Sequence, residues 1–587
     1  MARRGIALVL MFLALAALVS FGGVIMLYVL TTRGPSVPDG ATLVLKPGGA
    51  LLDVRPGDVV GQVLGRDAVS LRGLVETVHK ARRDPRITAL LLRPSGFDSP
   101  FWSKVQELRD AITEFRESGK PVIAHLEYGG DREYYLASAA DEVFLLPTSP
   151  LDLTGIASYE VFLRGALDRI GAFPDFLRIG AYKTAPNQLT ERGFTPAHRE
   201  MMQSLNQDLY EQLVAGIAEA RGRSVDEVRA LLDTGPFSPE DAQRMGLVDD
   251  LAYLDQLDDR VAALNGSADG QRLVEGEAYQ RISPGSVGIR PRSRIAVLYA
   301  SGVIASGRSS YDVVNGPVVG SETMVEHIQR IRDDQSIRAI VLRVDSPGGS
   351  SVASDVIWRE LTITRDGTPS RPLVASMSDL AASGGYYIAM PAHVIVAQPG
   401  TLTGSIGVYG GKIVLGGTME KLGIGTETVR SGANADIYSP FEPFTAPQRD
   451  KLMEYMDSFY AGFVRKAADA RRMTPEQIDA VAQGRVWTGR QAREHGLVDA
   501  LGGLDTAIAM AKERAGIPAE EDVELVIYPP RRTLYEALAE QFQATGRSPW
   551  GQLLSGPEGR ALAALTAPVR LFRRGEPLAL MPFAFVR

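Results

Sequence analysis

The chain has 587 residues, no cysteine and six histidines, and its formal net charge is −7. Hydrophobic residues make up 45% and charged residues 23% of the chain, which is ordinary for a globular protein. The acidic balance provides no basic surface for nucleic acid. Without cysteine, disulfides, a thiolate nucleophile and cysteine-ligated metals are excluded. The histidines are scattered without the spacing of metal ligands, so we expect neither a metal nor another cofactor.

An apolar segment lies near the N-terminus. Residues 5–30 contain no charged side chain, and a helix of that length exceeds the ~30 Å hydrocarbon core of a bilayer. Arg3 and Arg4 precede this segment, so the positive-inside bias places the N-terminus in the cytoplasm and the bulk of the chain outside. A cleaved signal peptide is the alternative, but its apolar region usually has only ~7–15 residues. The sequence therefore predicts one uncleaved transmembrane anchor.

The rest of the chain is a tandem repeat. Residues 87–93 (ITALLLR) align with residues 337–343 (IRAIVLR), and the sequence GLVD occurs at both 246–249 and 496–499. Both pairs are offset by 250 residues, which indicates one duplicated unit with few net insertions. In each copy, apolar strand-like runs alternate with stretches of helical period. This pattern predicts βαβ units on a parallel sheet, and hence an α/β fold.

The repeat and the local composition divide the chain into six parts. Two long helical stretches, residues 201–221 and 447–471, are expected to pack between copies or between subunits. The tail has no pattern that indicates chemistry, although its residues 562–583 are suited to lie against a membrane or a partner. The six parts are a cytoplasmic tip with the anchor (1–30), a linker (31–40), a first domain (41–265), a second linker rich in Gly, Ser and Pro (266–291), a second domain (292–530) and the tail (531–587).

Two serine- and glycine-containing motifs occur only in the second copy. Ser346-Pro347-Gly348-Gly349 directly follows an apolar strand, and its glycines allow backbone N–H groups to turn toward an oxyanion. The second motif is Ser383-Gly384-Gly385, at a predicted helix start, where the helix dipole favours developing negative charge. Each motif also has an ordinary interpretation, as a common turn and as a helix N-cap serine.

A serine nucleophile needs a base, and the histidines do not provide one. His393 is the nearest downstream histidine, but its position fits an ordinary surface or edge residue. This favours a lysine, and the residue types alone leave Lys183, Lys412 and Lys421 open. A free lysine has a pKa near 10.4, so a base that works near pH 7 needs that pKa lowered by about 3 units.

The repeat favours Lys183 among these lysines. The segment 178–183 (RIGAYK) aligns with 430–435 (RSGANA), so the lysine is present only in the first copy, whereas the Ser-Gly-Gly motif is present only in the second. A duplicated catalytic unit whose halves have divided the catalytic groups would show this pattern. It predicts a single site where the two copies meet, either within one chain or between subunits.

Taken together, the motifs resemble those of signal peptide peptidases of the protease IV type in their long bacterial form. The resemblance covers essentially residues 1–530 and includes residues 402–407 (LTGSIG). It implies two tandem domains of the crotonase/Clp-protease type. By residue, it implies the nucleophile at Ser383, the general base at Lys183, a hydroxyl that orients the lysine at Ser405, and the oxyanion pair at Gly349 and Gly384.

The resemblance also implies a function. The expected protein is a serine endopeptidase with a Ser/Lys dyad, anchored in the bacterial cytoplasmic (inner) membrane with its catalytic domains on the periplasmic side. It would degrade cleaved signal peptides and other apolar peptides as a homotetramer. Two alternatives are an inactive anchored scaffold of the same fold and a crotonase-like acyl-CoA enzyme. The latter uses the same paired amides on a thioester, but it typically needs a catalytic carboxylate and no anchor.

Overall fold

The structure is a computed structural model that describes residues 22–23, 36–53, 69–264, 272–312, 316–530, 576–581 and 585–586. Most of the predicted anchor, part of the linker 31–40 and most of the tail lie outside these ranges. Within them, no helix is both long enough and apolar enough to span a bilayer.

The first copy is built on a six-stranded parallel sheet. Its four inner strands are mostly apolar and buried, as expected where helices cover both sides of a parallel sheet. The strands in spatial order are Asp250–Leu251, Glu142–Leu145, Val122–Leu126, Ile87–Leu92, Ala41–Leu45 and Leu273–Glu275.

The second copy repeats this order in an eight-stranded sheet. Six of its strands correspond one by one to those of the first sheet, at Ala500–Leu501, Val394–Ala397, Leu373–Ala382, Ile337–Ser346, Ser293–Ser301 and Val523–Tyr528. The two additional strands lie at the C-terminal end of Leu373–Ala382. Leu402–Gly404 pairs with that end, and Val486–Thr488 pairs with Leu402–Gly404. The predicted α/β class with two tandem domains is therefore confirmed.

A third sheet, here called the bridging sheet, joins the two copies. Phe173–Ile179 of the first copy pairs antiparallel with Val408–Val414 of the second over seven residues. The strand Gly348–Ser350, here called the glycine strand, lies in the same sheet. In spatial order the strands are Phe173–Ile179, Val408–Val414, Leu578–Leu580, Gly348–Ser350, Val303–Ala305, Gly316–Gly320 and Ser310–Asp312. Three two-stranded pairs complete the described strands: Leu51–Leu52 with Val69–Ser70, Gly129–Gly130 with Leu151–Asp152, and Ser158–Tyr159 with Phe585–Val586.

Helices cover the faces of the sheets, and the two longest are equivalent in the two copies. Pro196–Arg221 and Ala446–Arg471 each start with proline in the first turn after a threonine cap, a favourable helix start. The other helices of the first copy are Leu71–Arg83, Ser103–Glu117, Asp131–Ala137, Arg164–Ile170, Asn187–Thr190, Val225–Leu232, Pro239–Arg244, Leu257–Leu264 and Gly276–Tyr279, with short 3₁₀ turns at Leu254–Gln256 and Pro284–Val287. The other helices of the second copy are Ser321–Asp333, Ser351–Asp366, Gly384–Ala389, Gly416–Lys421, Pro475–Val481, Gly489–Glu494 and Leu504–Arg514.

Buried charges tie the two copies together beside the bridging sheet. Arg343 of the second copy is 1% exposed and donates to the carboxylates of Asp53 and Glu107 of the first copy, each at 2.8 Å. In the reverse direction, Lys104 of the first copy donates to Asp345 at 2.7 Å. Removing one member of such a buried set leaves uncompensated charge, so these contacts fix how the copies dock.

Two sequence expectations need correction. Residues 266–291 were expected to be a linker, but Leu273–Glu275 is a strand paired with Ala41–Leu45. The first domain therefore extends beyond residue 265, since its sheet needs this strand to cover its edge. The tail was expected to lie outside the second domain, but its residues Leu578–Leu580 form a strand of the bridging sheet.

Candidate active site

The loop that carries Lys183 crosses from the first copy onto the second. It follows the strand Phe173–Ile179, and the amide of Tyr182 donates to the carbonyl of Gln483 at 2.8 Å. Gly484 lies directly against the lysine backbone, because a Cβ added to Gly484 would be 2.5 Å from the nitrogen of Lys183. The backbone of the second copy therefore holds the lysine in place.

The side chain of Lys183 is completely buried and meets two serines of the second copy. Its Nζ lies 2.8 Å from Oγ of Ser383, 2.9 Å from Oγ of Ser405 and 3.0 Å from the carbonyl oxygen of Ser405. Burial lowers the pKa of Lys183 well below its ordinary value, because desolvation disfavours the charged ammonium. The structure thus brings together within one chain the lysine and the two serines predicted from the sequence.

Ser383 occupies a strained position at a strand-to-helix junction. It follows the strand Leu373–Ala382 and precedes the helix Gly384–Ala389, with φ 57° and ψ −110°. Its amide donates to the carbonyl of Gly404 at 2.8 Å, and its hydroxyl makes no helix-capping bond. Ser405 is also at positive φ, 51°. Such conformations cost about 1–3 kcal/mol each and are concentrated at functional sites. In this protein, the hydroxyls of both serines contact Nζ of Lys183.

The predicted oxyanion glycines lie next to each other beside Ser383. A Cβ added to Gly384 would be 3.1 Å from the amide nitrogen of Gly349, so the two backbones approach more closely than side chains would allow. Gly348 and Gly349 have φ of 101° and 154°, conformations that favour glycine. The hydroxyl of Ser346 accepts a hydrogen bond from the amide of Gly348 at 3.1 Å. This bond fixes the turn from Ser346 to Gly348.

The other basic residues that the sequence analysis considered are engaged elsewhere. Nζ of Lys412 donates to the carbonyl of Ile437 at 2.9 Å, and Nζ of Lys421 donates to the carbonyl of Arg169 at 2.7 Å. His393 accepts from the amide of Leu373 at 3.1 Å. Each of these contacts is structural, so within the described part of the chain only Lys183 meets Ser383.

Sequence reasoning missed Gln483 and Gly484, which hold the lysine loop. The repeat gave no signal for them, because at the 250-residue offset Gln483 and Gly484 align with Asp233 and Thr234 of the first copy. The partner of Gly484, Lys183, lies 301 residues away in the sequence, and no local pattern specifies it.

Comparisons with known proteins identify the family of the chain. The family described as peptidase family S49 matches residues 114–267 and 367–518. The chloroplastic serine protease SPPA of Arabidopsis thaliana is 34% identical over 488 residues, which are 82% of this chain and 71% of that protein. Protease 4 of Salmonella typhi is 34% identical over 76% of this chain and 72% of its own length. Protease 4 of Haemophilus influenzae is 30% identical over 76% of this chain and 73% of its own length.

The two matched segments lie in the first and the second copy, and the buried lysine and serine meet where these copies join. The chain belongs to peptidase family S49 and is a serine peptidase with two tandem domains.

Proposed function

We propose that this serine peptidase is a membrane-anchored endopeptidase that uses Ser383 and Lys183 as a catalytic dyad to degrade cleaved signal peptides and other apolar peptides. The observation that carries the proposal is the 2.8 Å contact between Lys183 Nζ and Ser383 Oγ in a fully buried setting. An inactive scaffold would not need a buried lysine in contact with a serine in a strained backbone conformation. Membership of a peptidase family removes the support for the acyl-CoA alternative.

The contacts of Lys183 support its role as a general base. A neutral amine has two N–H groups and one lone pair. The carbonyl oxygen of Ser405 can only accept and takes one N–H, and the hydroxyl of Ser405 takes the other. The lone pair then remains for the hydroxyl of Ser383, which donates to it. Desolvation by burial lowers the pKa of Lys183 well below its ordinary value and so favours the neutral amine that this role needs.

The glycine pair supports acyl transfer at Ser383. When the serine oxygen attacks a peptide carbonyl, negative charge develops on the carbonyl oxygen. The adjacent amides of Gly349 and Gly384 are placed to donate to this oxygen, which is usually the largest single contribution to such catalysis. Lys183 then passes the proton to the leaving amine, and a water molecule hydrolyses the acyl-enzyme.

The surroundings of the dyad support an apolar substrate. Ala382, next to the nucleophile, belongs to a cluster of buried apolar residues that both copies provide. A second apolar cluster, which contains Val303 and Tyr409, lies on the bridging sheet. A charged side chain next to the cut bond would lose its hydration among these apolar residues, so we expect aliphatic or small residues there. The members of the first cluster around Ala382 are Met201, Met202, Leu205, Leu402, Val486 and Met581.

The anchor, the location and the assembly belong to the same proposal. Residues 5–30 support a single-pass anchor in the bacterial cytoplasmic membrane, with the catalytic domains on the periplasmic side. Protease added to spheroplasts is expected to digest these domains, and protection without detergent would contradict this orientation. The resemblance to protease IV supports a homotetramer, and sedimentation of the detergent-solubilised chain as a monomer would contradict it.

A fluorophosphonate probe tests the catalytic assignment. The probe should label the wild type and should fail to label Ser383→Ala, whereas Ser286→Ala, at an exposed position, should be labelled as the wild type is. Lys183→Ala should also lose labelling, because no base remains to activate the serine. Labelling that persists in Ser383→Ala would show that another residue is the nucleophile.

A further inference from the structure

The strand that leads to the nucleophile is irregular just before the nucleophile. Val344 pairs with Met377, and the next pair is Ser346 with Ala381. The three residues Ser378–Leu380, here called the bulge, therefore lie opposite a single residue of the neighbouring strand. Bulges bend a strand, and next to active sites they change the direction of a side chain. We therefore expect the position of the nucleophile to depend on the geometry of the bulge.

The first copy has one residue fewer in this part of the strand. Ala124 and Ala375 occupy equivalent positions in the paired strands of the two copies. Asp131 is seven positions after Ala124, whereas Ser383 is eight positions after Ala375. The additional residue thus occurs only in the copy that carries the serine, in the part of the strand that contains the bulge.

A helix of the first copy begins at this bulge. The helix is Ser103–Glu117. The hydroxyl of Ser103 donates to the carbonyl of Ser378 at 3.0 Å, and the amide of Lys104 donates to the carboxylate of Asp379 at 3.1 Å. The first amides of a helix have no partner within that helix, so this amide is free to bind a group of the other copy. The first copy therefore holds two of the three residues of the bulge.

The side chain of Lys104 connects the bulge to the strand beside it. Its Nζ lies 3.0 Å from the second carboxylate oxygen of Asp379 and 2.7 Å from a carboxylate oxygen of Asp345. Asp345 is the residue opposite the bulge, and its other carboxylate oxygen accepts from the amide of Leu380 at 3.2 Å. Asp345 also directly precedes Ser346, where the turn with the oxyanion glycines starts. One ammonium group therefore connects the segment of the nucleophile to the segment of the oxyanion glycines.

The ammonium group of Lys104 keeps its charge in this setting. Lys104 is 6% exposed, and burial opposes the charge, but the carboxylates of Asp345 and Asp379 outweigh this effect and raise the pKa of Lys104 above its ordinary value. Burial lowers the pKa of Lys183, in contrast. The two lysines that the first copy directs to the second therefore favour opposite charge states, as a structural cation and a neutral base would.

We propose that Lys104 is a positioning residue of the peptidase: it holds the bulge against Asp345 and so places Ser383 at the correct distance from the lysine base and the oxyanion amides. This inference rests on the proposed function of Ser383 and Lys183. It goes further, because the first copy then aligns the nucleophile in addition to supplying the base. Loss of the contact should slow the reaction without weakening the binding of the peptide.

Steady-state kinetics of the full chain in detergent on a fluorogenic apolar peptide test this role. Lys104→Met removes the ammonium group and should lower kcat about 10- to 100-fold, since a shift of about 1 Å in a reacting group can cost about 10²-fold in rate. KM should stay within about twofold, because an interaction that acts only on the reacting groups lowers kcat and kcat/KM together.

Lys80→Met is the matched control for the loss of a buried lysine. Lys80 is 1% exposed and donates to the carbonyls of Gln280 and Ile282, far from the bulge in the first copy. This variant should keep the kcat of the wild type. Equal kcat values for Lys104→Met and Lys80→Met, or a rise in KM with kcat unchanged in Lys104→Met, would overturn the proposal.

A charge-balanced variant separates positioning from stability. Lys104→Met alone leaves two carboxylates without their cation, which should lower the free energy of unfolding. Adding Asp379→Asn restores the net charge of the group and keeps an oxygen that accepts from the amide of residue 104. The double variant should unfold at a higher urea concentration than Lys104→Met, but its kcat should stay as low. If kcat returns to the wild-type value in the double variant, Lys104 acts only on stability and the proposal is wrong.

Asp379→Asn alone provides the test if Lys104→Met does not fold. It leaves the cation paired with Asp345, but its NH₂ group cannot accept from the ammonium of Lys104. Its kcat should be lower than that of Lys80→Met at an unchanged KM, and equal kcat values would overturn the proposal.

Ser383→Ala distinguishes failure of this inference from failure of the proposed function. If the wild type cuts the peptide, Ser383→Ala does not, and Lys104→Met retains full kcat, only the inference on Lys104 fails. If Ser383→Ala cuts the peptide as the wild type does, the proposed dyad is wrong, and the positioning role of Lys104 is wrong with it.

Discussion

The same strand-to-helix junction is built in two ways in the two copies. In the second copy, Ser383 stands before its helix at positive φ, with its hydroxyl directed at Lys183. In the first copy, the corresponding Asp131 is already within the helix Asp131–Ala137, and its carboxylate accepts from the amides of Thr154 and Gly155. The scaffold is therefore equivalent, but only the second copy holds a strained serine at this junction.

The oxyanion amides differ in the same way. The position of Gly349 is taken in the first copy by Phe97, whose amide donates to the carboxylate of Glu133 at 2.9 Å. That amide is permanently occupied by a side chain of its own copy. In the second copy, Gly349 pairs instead with Ala579 of the strand Leu578–Leu580. The backbone of this position is thus bound by a carboxylate of its own copy in one case and by a neighbouring strand in the other.

The two copies differ in the groups that they contribute to the proposed dyad. The first copy lacks the serine and the glycine pair, but it supplies Lys183 on a loop held by the second copy. Because neither copy contains all the groups, we expect activity only while the copies stay docked. Five experiments test this division of labour.

The largest effect is expected when the first copy loses its lysine. Lys183→Ala should lower kcat about 10²–10⁴-fold, the usual loss when a general base is removed. Lys412→Ala is the matched control from the second copy, since this lysine donates to the carbonyl of Ile437 and should leave kcat nearly unchanged. Steady-state rates on an apolar peptide decide between them. The reverse result would show that the second copy is self-sufficient.

The pH dependence sharpens the same test. Burial lowers the pKa of Lys183 well below its ordinary value, and the active form is the neutral amine. The rate should therefore rise with pH as the amine loses its proton, and it should reach its plateau well below pH 10.5, the ordinary lysine value. The residual activity of Lys183→Ala should lack this rising limb.

Docking of the copies is tested at Arg343. Arg343→Ala leaves the carboxylates of Asp53 and Glu107 buried without their cation, which should lower the free energy of unfolding by about 3–5 kcal/mol. Arg308→Ala removes an ion pair to Glu326 that is exposed on both sides and should cost at most about 1 kcal/mol. Urea unfolding of the two variants in detergent gives the comparison. Equal midpoints would show that the buried charges do not hold the copies together.

The lysine loop is tested at Gly484. Gly484→Ala would place a Cβ 2.5 Å from the nitrogen of Lys183 and push the lysine away from Ser383. A shift of about 1 Å in a catalytic group can cost about 10²-fold in rate, so we expect kcat to fall about 10- to 100-fold. Gly423→Ala is the control, because Gly423 has a similar φ of 71° but no atom within 4 Å of the added Cβ. A similar fall in kcat in both variants would attribute the effect to backbone strain alone.

The repeat explains how much could be predicted from the sequence. Two copies with different motifs indicated the α/β class, the tandem domains and the meeting of Lys183 with Ser383, because aligned positions show which group each copy lacks. The alignment of the copies also indicates that the expected linker contains a strand, since Leu273–Glu275 corresponds to the strand Val523–Tyr528. A strand of three residues among Gly, Ser and Pro has too little periodicity to be recognised by itself.

The strand in the tail could not be predicted from the sequence for a different reason. Leu578–Leu580 has no counterpart in the first copy and no alternating pattern. Its partner, Gly348–Ser350, is more than 220 residues away and consists of two glycines and a serine. Such a strand offers no side-chain pattern for a partner to match, and the pairing depends on backbone groups that every residue carries.

The smallest expected effect concerns the inactive junction. Desolvation by burial raises the pKa of Asp131 to about 6, so between pH 4 and 6 the folded state binds more protons than the unfolded chain. This term therefore favours folding below pH 4 and is lost as the pH rises through about 6. Asp131→Asn keeps an oxygen to accept from the amides of Thr154 and Gly155 but cannot ionise. Its stability relative to the wild type should therefore increase as the pH rises from 4 to 6, while kcat stays unchanged at every pH. Urea unfolding at several pH values measures the first quantity and peptide cleavage the second. A change in kcat would mean that the junction of the first copy contributes to catalysis, and the two copies could no longer be described as one active and one closed junction.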